Sequence, residues 1–551
     1  MPLDTVIKNG RVADGSGAAA VLADVGISGG VIQAVGKLEP DGARVIDASG
    51  KIVAPGFIDI HSHSEFILPM KRAPEILAPF IQQGITTIVG GNCGYSPAPI
   101  NPKTLDLMKS YSMFLKGEEL EWDWTSFGGF LDYLERQGVC LNLVPMVAHG
   151  AVRIHELGFE GRRVTPDEMN NMKRLVRESL EQGAHGFSSG LLYAPGIFSP
   201  PEELVELAGA LKGYDAIYTS HIRGSSETLS SATKEVIRVG EANGIRCQHS
   251  HMEAFGRAHW PKIDSIIKLH EEARARGVDS AWDVIPYISA NTTLLAIFPP
   301  WSLAGGVDGL LQRLGDPQTR ARIRQSIEDD LPGWPSWLEG DWPHNLVEAT
   351  GWDNITIIWV ESEKNKDLEG KTIPRIAVEQ GKDPFDAAFD LVLEEKGHAM
   401  ALYFGVSGDR TTEEGMEKLL AQPLAAAETD AIITGRGVPH PAGYGAFPRV
   451  LGHFVRRRKL FSLEEAVRKC TSVAAERFHL KRRGYIREGM FADITIFDPE
   501  TVDDTTTYEK PVSPPKGIEY VLINGEVVLE QGRYHADSLA GQVIRRGGSN
   551  A

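Results

Sequence analysis

Residues 54–63 read Ala54-Pro55-Gly56-Phe57-Ile58-Asp59-Ile60-His61-Ser62-His63, and they set the reading of the whole chain. A short apolar run opens on a Pro-Gly turn and closes on two histidines. A run of this length and composition reads as a buried strand. On an extended strand, residues i and i+2 project to the same side, so His61 and His63 can share one cation. An isolated His-x-His is more often a pair of hydrogen-bonded polar side chains. The rest of the chain decides between the two.

Seven further apolar runs follow, at 85–90, 142–148, 184–188, 216–221, 245–250, 279–285 and 425–430. Stretches with helical periodicity separate most of them, at 165–181, 201–212, 227–242 and 261–276. The first of these opens on Thr165-Pro166-Asp167-Glu168, a good helix start. Strand and helix alternating in this way predict parallel βα units, and eight strands close a (β/α)₈ barrel. Functional groups of such barrels sit just past the C-terminal strand ends. The second run leads into Gly91-Asn92-Cys93-Gly94, the fifth ends in His221, the sixth leads into His251, and the eighth ends in Asp430. Together with His61 and His63, this gives five of eight runs ending in a group that binds transition metals.

Each candidate has a plainer reading. Free cysteine is usually a small buried hydrophobe, and Cys140 and Cys247 fit that fate. Cys93 is flanked by glycines and reads as a thiolate ligand. A lone strand-end histidine is usually a satisfied polar residue, but His221 and His251 end consecutive βα units. His249 is the weaker candidate on the sixth run. Asp430, read alone, is a turn or cap aspartate. Beside the first strand, as barrel closure requires, it can touch a metal-activated water and shuttle its proton. These parts fit zinc-assisted amide hydrolysis, with Tyr193 and His149 as candidate donors to the oxyanion.

Outward from the barrel, both ends are β-rich. Short runs at 5–7, 24–27, 31–35 and 44–46 precede it; runs at 493–497 and 520–528, the latter broken at Asn524-Gly525, follow it. One β-sandwich built from 1–55 and 481–551, around a barrel at 56–480, is expected. The roughly 140 residues between the seventh and eighth runs are too long for a loop and predict an inserted lid subdomain at about 300–400. Five tryptophans mark it, Trp301, Trp334, Trp337, Trp342 and Trp352. Most read as packing, with Trp301 the candidate lid residue.

Hydrophobic residues make up 42% of the 551 and charged residues 24%, which excludes a disordered chain. The formal charge of −17 argues on electrostatic grounds against a non-specific nucleic-acid binder. Four scattered cysteines do not suggest a disulfide framework. No apolar run reaches the ~18 residues of a membrane span, and the first residues lack a signal-peptide pattern. A cytoplasmic enzyme acting on a small-molecule amide is expected, with no nucleic-acid or membrane partner.

The motifs taken together resemble the amidohydrolase superfamily and, more narrowly, the N-acyl-D-amino-acid deacylases. The resemblance runs from Pro55–His63 and Gly91–Gly94 through Gly186–Gly196 and Ser220–Arg223 to Phe447–Gly452 and Gly489–Ile494. It implies a distorted (β/α)₈ barrel with a β-sandwich and zinc at the barrel mouth. Cys93, His221 and His251 match a tight zinc site, and His61 and His63 a weaker second one. Asp430 matches the catalytic acid/base and Tyr193 a residue near the reacting carbonyl. Tyr287 and Ser289 match part of the pocket for a substrate carboxylate.

Two departures stand out. The family usually carries a lysine shortly after the sixth-strand histidine, where this chain has Met252-Glu253-Ala254. It usually carries His-Pro-Arg after the aspartate, where this chain has His440-Pro441-Ala442. Either Arg436, Arg223 or His440 supplies the missing charge, or the substrate has no free α-carboxylate, and Met252 and Ala442 suit a more apolar group. The readings that stay open are a linear N-acyl-amino-acid deacylase, a hydrolase of cyclic or neutral apolar amides, and a metal-free scaffold.

Overall fold

The computed structural model describes residues 2–116, 120–329, 331–337 and 340–550. All eight expected runs form strands: Phe57–Asp59, Ile85–Gly90, Asn142–Pro145 continued by Val147–Ala148, Gly186–Gly190, Ile217–His221, Arg246–His249, Ser280–Val284 and Ala425–Ala427. They pair in parallel and in chain order. The ring closes where Asp430 N donates to the His61 carbonyl at 3.0 Å and His63 N to the Ala431 carbonyl at 3.2 Å. Ile58, Val89, Val144, Met146, Ile217 and Ala426 fill its interior as one buried cluster. The barrel is therefore a packed core whose chemistry is confined to the mouth.

The intervening helices follow from sequence as expected. Helix Pro166–Glu181 starts with a capping box: the Glu168 amide donates to the Thr165 hydroxyl, and the Thr165 amide donates to the Glu168 carboxylate. This satisfies two of the four amides that a helix start leaves without partners.

Both chain ends build one nine-stranded sheet, in which Ile52–Pro55 pairs antiparallel with Ile494–Phe497. The chain passes from this sheet into the first barrel strand through Gly56, whose amide donates to the Asp493 carbonyl at 2.7 Å. A Cβ there would overlap the Thr86 side chain, so the junction requires glycine.

Asp493 also ties sheet to barrel. Its carboxylate pairs with Arg483 and accepts from Asn142 Nδ2 at 3.2 Å and from the Asn524 amide at 2.8 Å. Arg483 is 1% exposed and Asp493 5%. Asp493→Ala leaves a buried guanidinium unpaired and is expected to cost about 3–5 kcal/mol. The loss should appear as a lower urea midpoint; an unchanged midpoint would mean the pair does not hold the two parts together.

Between the seventh and eighth strands, Ser289–Thr293, Ala399–Phe404 and Ile355–Val360 form an antiparallel sheet with Ala399–Phe404 in the middle. It packs with helices Gly306–Gly315, Pro317–Asp329 and Pro384–Glu394 around a second hydrophobic core. Apolar area is thus buried separately from the barrel. Among the described residues, no helix is long and apolar enough to cross a membrane.

Candidate active site at the barrel mouth

Six donor side chains converge at the C-terminal strand ends. His61, His63, Cys93 and Asp430 place one ligand atom each within 4.8 Å of one another, and so do Cys93, His221 and His251. Cys93 is common to both groups: its Sγ lies 3.1 Å from His61 Nε2 and 3.5 Å from His251 Nε2. Asp430 Oδ1 lies 3.3 Å from Nε2 of both His61 and His63.

The backbone bends to make this possible. Cys93, His251 and Asp430 all have positive φ, at 51°, 34° and 45°. For residues other than glycine this conformation is costly, and it clusters at functional sites. The glycine before Asn92 and Cys93 serves the loop packing: Gly91 has φ +88°, and a Cβ there would overlap the Met146 carbonyl.

The electrostatics ask for a cation. Burial, together with nearby Asp430 and Glu428, pushes the Cys93 thiol well above its ordinary value. Burial pushes Asp59 up to about 7. Glu428 is raised well above the carboxylate range by burial and by Asp283 and Asp430. Burial also opposes the charge on Asp430, but His61, His63 and His251 outweigh it and hold this carboxyl below its ordinary value. Neither carboxylate oxygen of Glu428 makes a well-directed hydrogen bond, and Oε2 faces His61 Nδ1 at 3.2 Å. Imidazole, thiolate and carboxylate donors crowded in a buried pocket fit a divalent transition metal, which relieves this crowding of negative charge.

A layer behind the donors escaped the sequence reading. His61 Nδ1 lies 3.2 Å from Glu428 Oε2 and 3.4 Å from Asp283 Oδ1. Asp283 also accepts from the His251 amide at 2.6 Å and from Gln248 Nε2 at 2.7 Å. Such carboxylates orient ligating imidazoles. The signal was an acid inside each of two otherwise apolar runs, Ser280-Ala281-Trp282-Asp283-Val284 and Ala425-Ala426-Ala427-Glu428.

The pocket over the donors is lined by Tyr193, His221, His251 and Asp430, with Ser225, Glu253, Asn291 and His344 among the others. Thr292 Oγ1 donates to the Tyr193 hydroxyl at 3.0 Å, which leaves the tyrosine proton free to donate elsewhere.

Other expected site residues lie elsewhere. Arg223 is fully buried and donates to Glu235, at 3.1 and 2.8 Å, and to the Ile197 and Ser199 carbonyls. Trp337 stacks on it at 4.5 Å, so its charge is already satisfied and cannot clamp a carboxylate. His149 sits 3.0 Å from Glu203, beside Arg153, outside the lining of this pocket. Met252 is 1% exposed in the hydrophobic core, and its neighbour Glu253 lines the pocket instead. Ala442 is fully buried at the start of helix Ala442–Arg449.

Tyr287, Ser289 and His440 form their own network. The Ser289 hydroxyl lies 2.7 Å from His440 Nε2 and donates to the Tyr508 hydroxyl at 3.1 Å, and Tyr287 bonds to Asp504 and Thr506. Arg436 faces Glu361 at 3.6 Å on the surface. Trp301 stacks on Arg322 at 4.1 Å inside the insert and does not line the pocket. The insert reaches the pocket through Asn291, Thr292, His344 and Tyr403. His249 turns away to His270 at 3.3 Å, and Cys140 and Cys247 are buried free thiols.

Comparison with known proteins adds the following. A sequence profile for the amidohydrolase family matches residues 44–239 and 357–529. The chain is 31% identical to a D-aminoacylase from Alcaligenes xylosoxydans xylosoxydans over 99% of its length and 98% of that protein's. It is 32% identical to an N-acyl-D-glutamate deacylase from the same organism over 100% and 98%. Among solved structures, the N-acyl-D-glutamate deacylase of Bordetella bronchiseptica, complexed with zinc and a phosphonate mimic of the tetrahedral intermediate, superposes with a TM-score of 0.81. That match is at 30% identity and covers 99% of this chain and 100% of that one.

Proposed function

The chain belongs to the amidohydrolase family, among the N-acyl-D-amino-acid deacylases, and from that membership we propose that it is a zinc-dependent deacylase of N-acyl-D-amino acids or their derivatives. It hydrolyses linear amides. The observation that carries the reading is the convergence of His61, His63, Cys93, His221, His251 and Asp430 at the barrel mouth.

Cys93, His221 and His251 would hold one ion tightly, and His61, His63, Cys93 and Asp430 would hold a second more weakly. A bound divalent ion supplies Lewis acidity, acidifying water and polarising a carbonyl oxygen. The protein's own groups do the rest. Asp430, held ionised by its histidine neighbours, takes a proton from the attacking water as the new C–O bond forms. It returns that proton to the nitrogen as the C–N bond breaks, giving a carboxylic acid and an amine. The Tyr193 hydroxyl, which accepts from Thr292, would keep its own proton to donate to the oxyanion. Asp283 and Glu428 fix the His61 ring from behind.

Chelation followed by gel filtration should abolish turnover of N-acetyl-D-amino acids and of their amides. Stoichiometric zinc should restore it. Full activity in protein holding less than about a tenth of an equivalent of metal would remove the reading, because without a Lewis acid the water keeps its ordinary pKa.

A further inference from the structure

We propose that the pocket and an apolar gallery beside it, sharing Leu192 and Tyr193, select neutral amides with a large apolar acyl group, in preference to N-acyl compounds bearing a free carboxylate. The inference rests on the amide-hydrolase reading and adds its substrate class.

Leu192 and Tyr193 line both the metal-facing pocket and a second, mostly apolar space. Tyr95, Tyr111, Phe114, Phe159, Leu295 and Val307 wall that space. The aromatic rings run continuously from the pocket: Tyr193 to Tyr95 at 5.4 Å, then Tyr95 to Tyr111 at 4.2 Å and to Phe114 at 5.3 Å. Of the polar tips along it, the Tyr111 hydroxyl donates to the Gly94 carbonyl and the Tyr193 hydroxyl accepts from Thr292. The gallery therefore offers mainly ring faces and aliphatic surface, with Ser110, Thr293 and His398 also in its lining.

The position of Asp430 orients the substrate. Asp430 lines the metal-facing pocket and not the gallery. The nitrogen that it protonates must face that side, so the acyl substituent extends past Tyr193 into the gallery. The amine part then lies among Glu253, Asn291 and Ser225.

Among the described residues lining either space there is no lysine or arginine. Arg223, the near candidate, is spent on Glu235 and two carbonyls. Glu253 Oε1 lies 3.4 Å from Nδ1 of His251, so this side chain faces a donor ring and offers a substrate no cation. A substrate carboxylate would be desolvated with no fixed cation to pair with. A neutral group meets no such penalty. Each methylene buried in the gallery favours binding about fourfold.

The test uses the zinc-loaded enzyme and four substrates: N-acetyl-D-leucine, N-octanoyl-D-leucine and their carboxamides, read by release of the fatty or acetic acid. We expect kcat/KM for N-octanoyl-D-leucinamide to exceed that for N-acetyl-D-leucine by roughly 100-fold or more. In Val307→Trp, which narrows the gallery, the octanoyl-to-acetyl ratio should fall roughly tenfold or more. Faster turnover of the free acids, no gain from the longer chain, or an unchanged ratio in Val307→Trp would overturn the proposal while the deacylase reading stands. Inertness of all four would sink both.

Discussion

Asp430→Asn is expected to keep its metal and lose kcat by about 10³-fold or more, within the span that general acid–base groups contribute. Asparagine has the same shape, still presents Oδ1, and tolerates left-handed backbone better than most residues. The φ of 45° and the hydrogen bond from its amide to His61 should therefore survive. What disappears is the capacity to accept a proton 3.3 Å from the two histidines. Metal content by plasma emission and steady-state kcat on the same sample separate the two effects. A kcat within about tenfold of wild type would show that another group moves the proton, and a loss of metal would make Asp430 chiefly a ligand.

Cys93→Ala is expected to remove metal and activity together. Its Sγ is the one atom shared by both donor groups, so its loss opens both. Even orienting residues behind a ligand change metal affinity 10–100-fold, and a direct thiolate should exceed about 100-fold. Backbone strain is not the reason, because alanine and cysteine face a similar penalty at φ 51°. Cys140→Ala and Cys247→Ala, buried away from the donor groups, serve as controls and should keep full metal. Full zinc in Cys93→Ala would show that the ligand set is drawn wrongly.

Glu253 shows how far alternation carries along a strand and where it stops. His249 and His251 are two apart and by parity share a side. Yet His249 faces His270, while the φ of 34° at His251 turns that ring into the mouth, 4.4 Å from His221. Parity beyond His251 is therefore lost, and nothing in Met252-Glu253 told which would reach the pocket. Arg223 fails for a different reason. Its partner Glu235 is on the following helix and its stacking partner Trp337 is in the insert, so its saturation depends on contacts that no local pattern encodes.

The barrel strands and the donor residues at their ends were set by the order of residues alone. Burial on both faces of a parallel strand favours mostly apolar runs, and the polar groups that close them gather near the mouth, although His249 shows that not every one enters it. The direction of each side chain past the last ladder bond was settled only by folding. So were the carboxylates behind His61, the saturation of Arg223 and the shared lining of gallery and pocket by Leu192 and Tyr193. Those features arise where separate segments meet, and the balance of burial and charge there belongs to the meeting and to neither segment by itself.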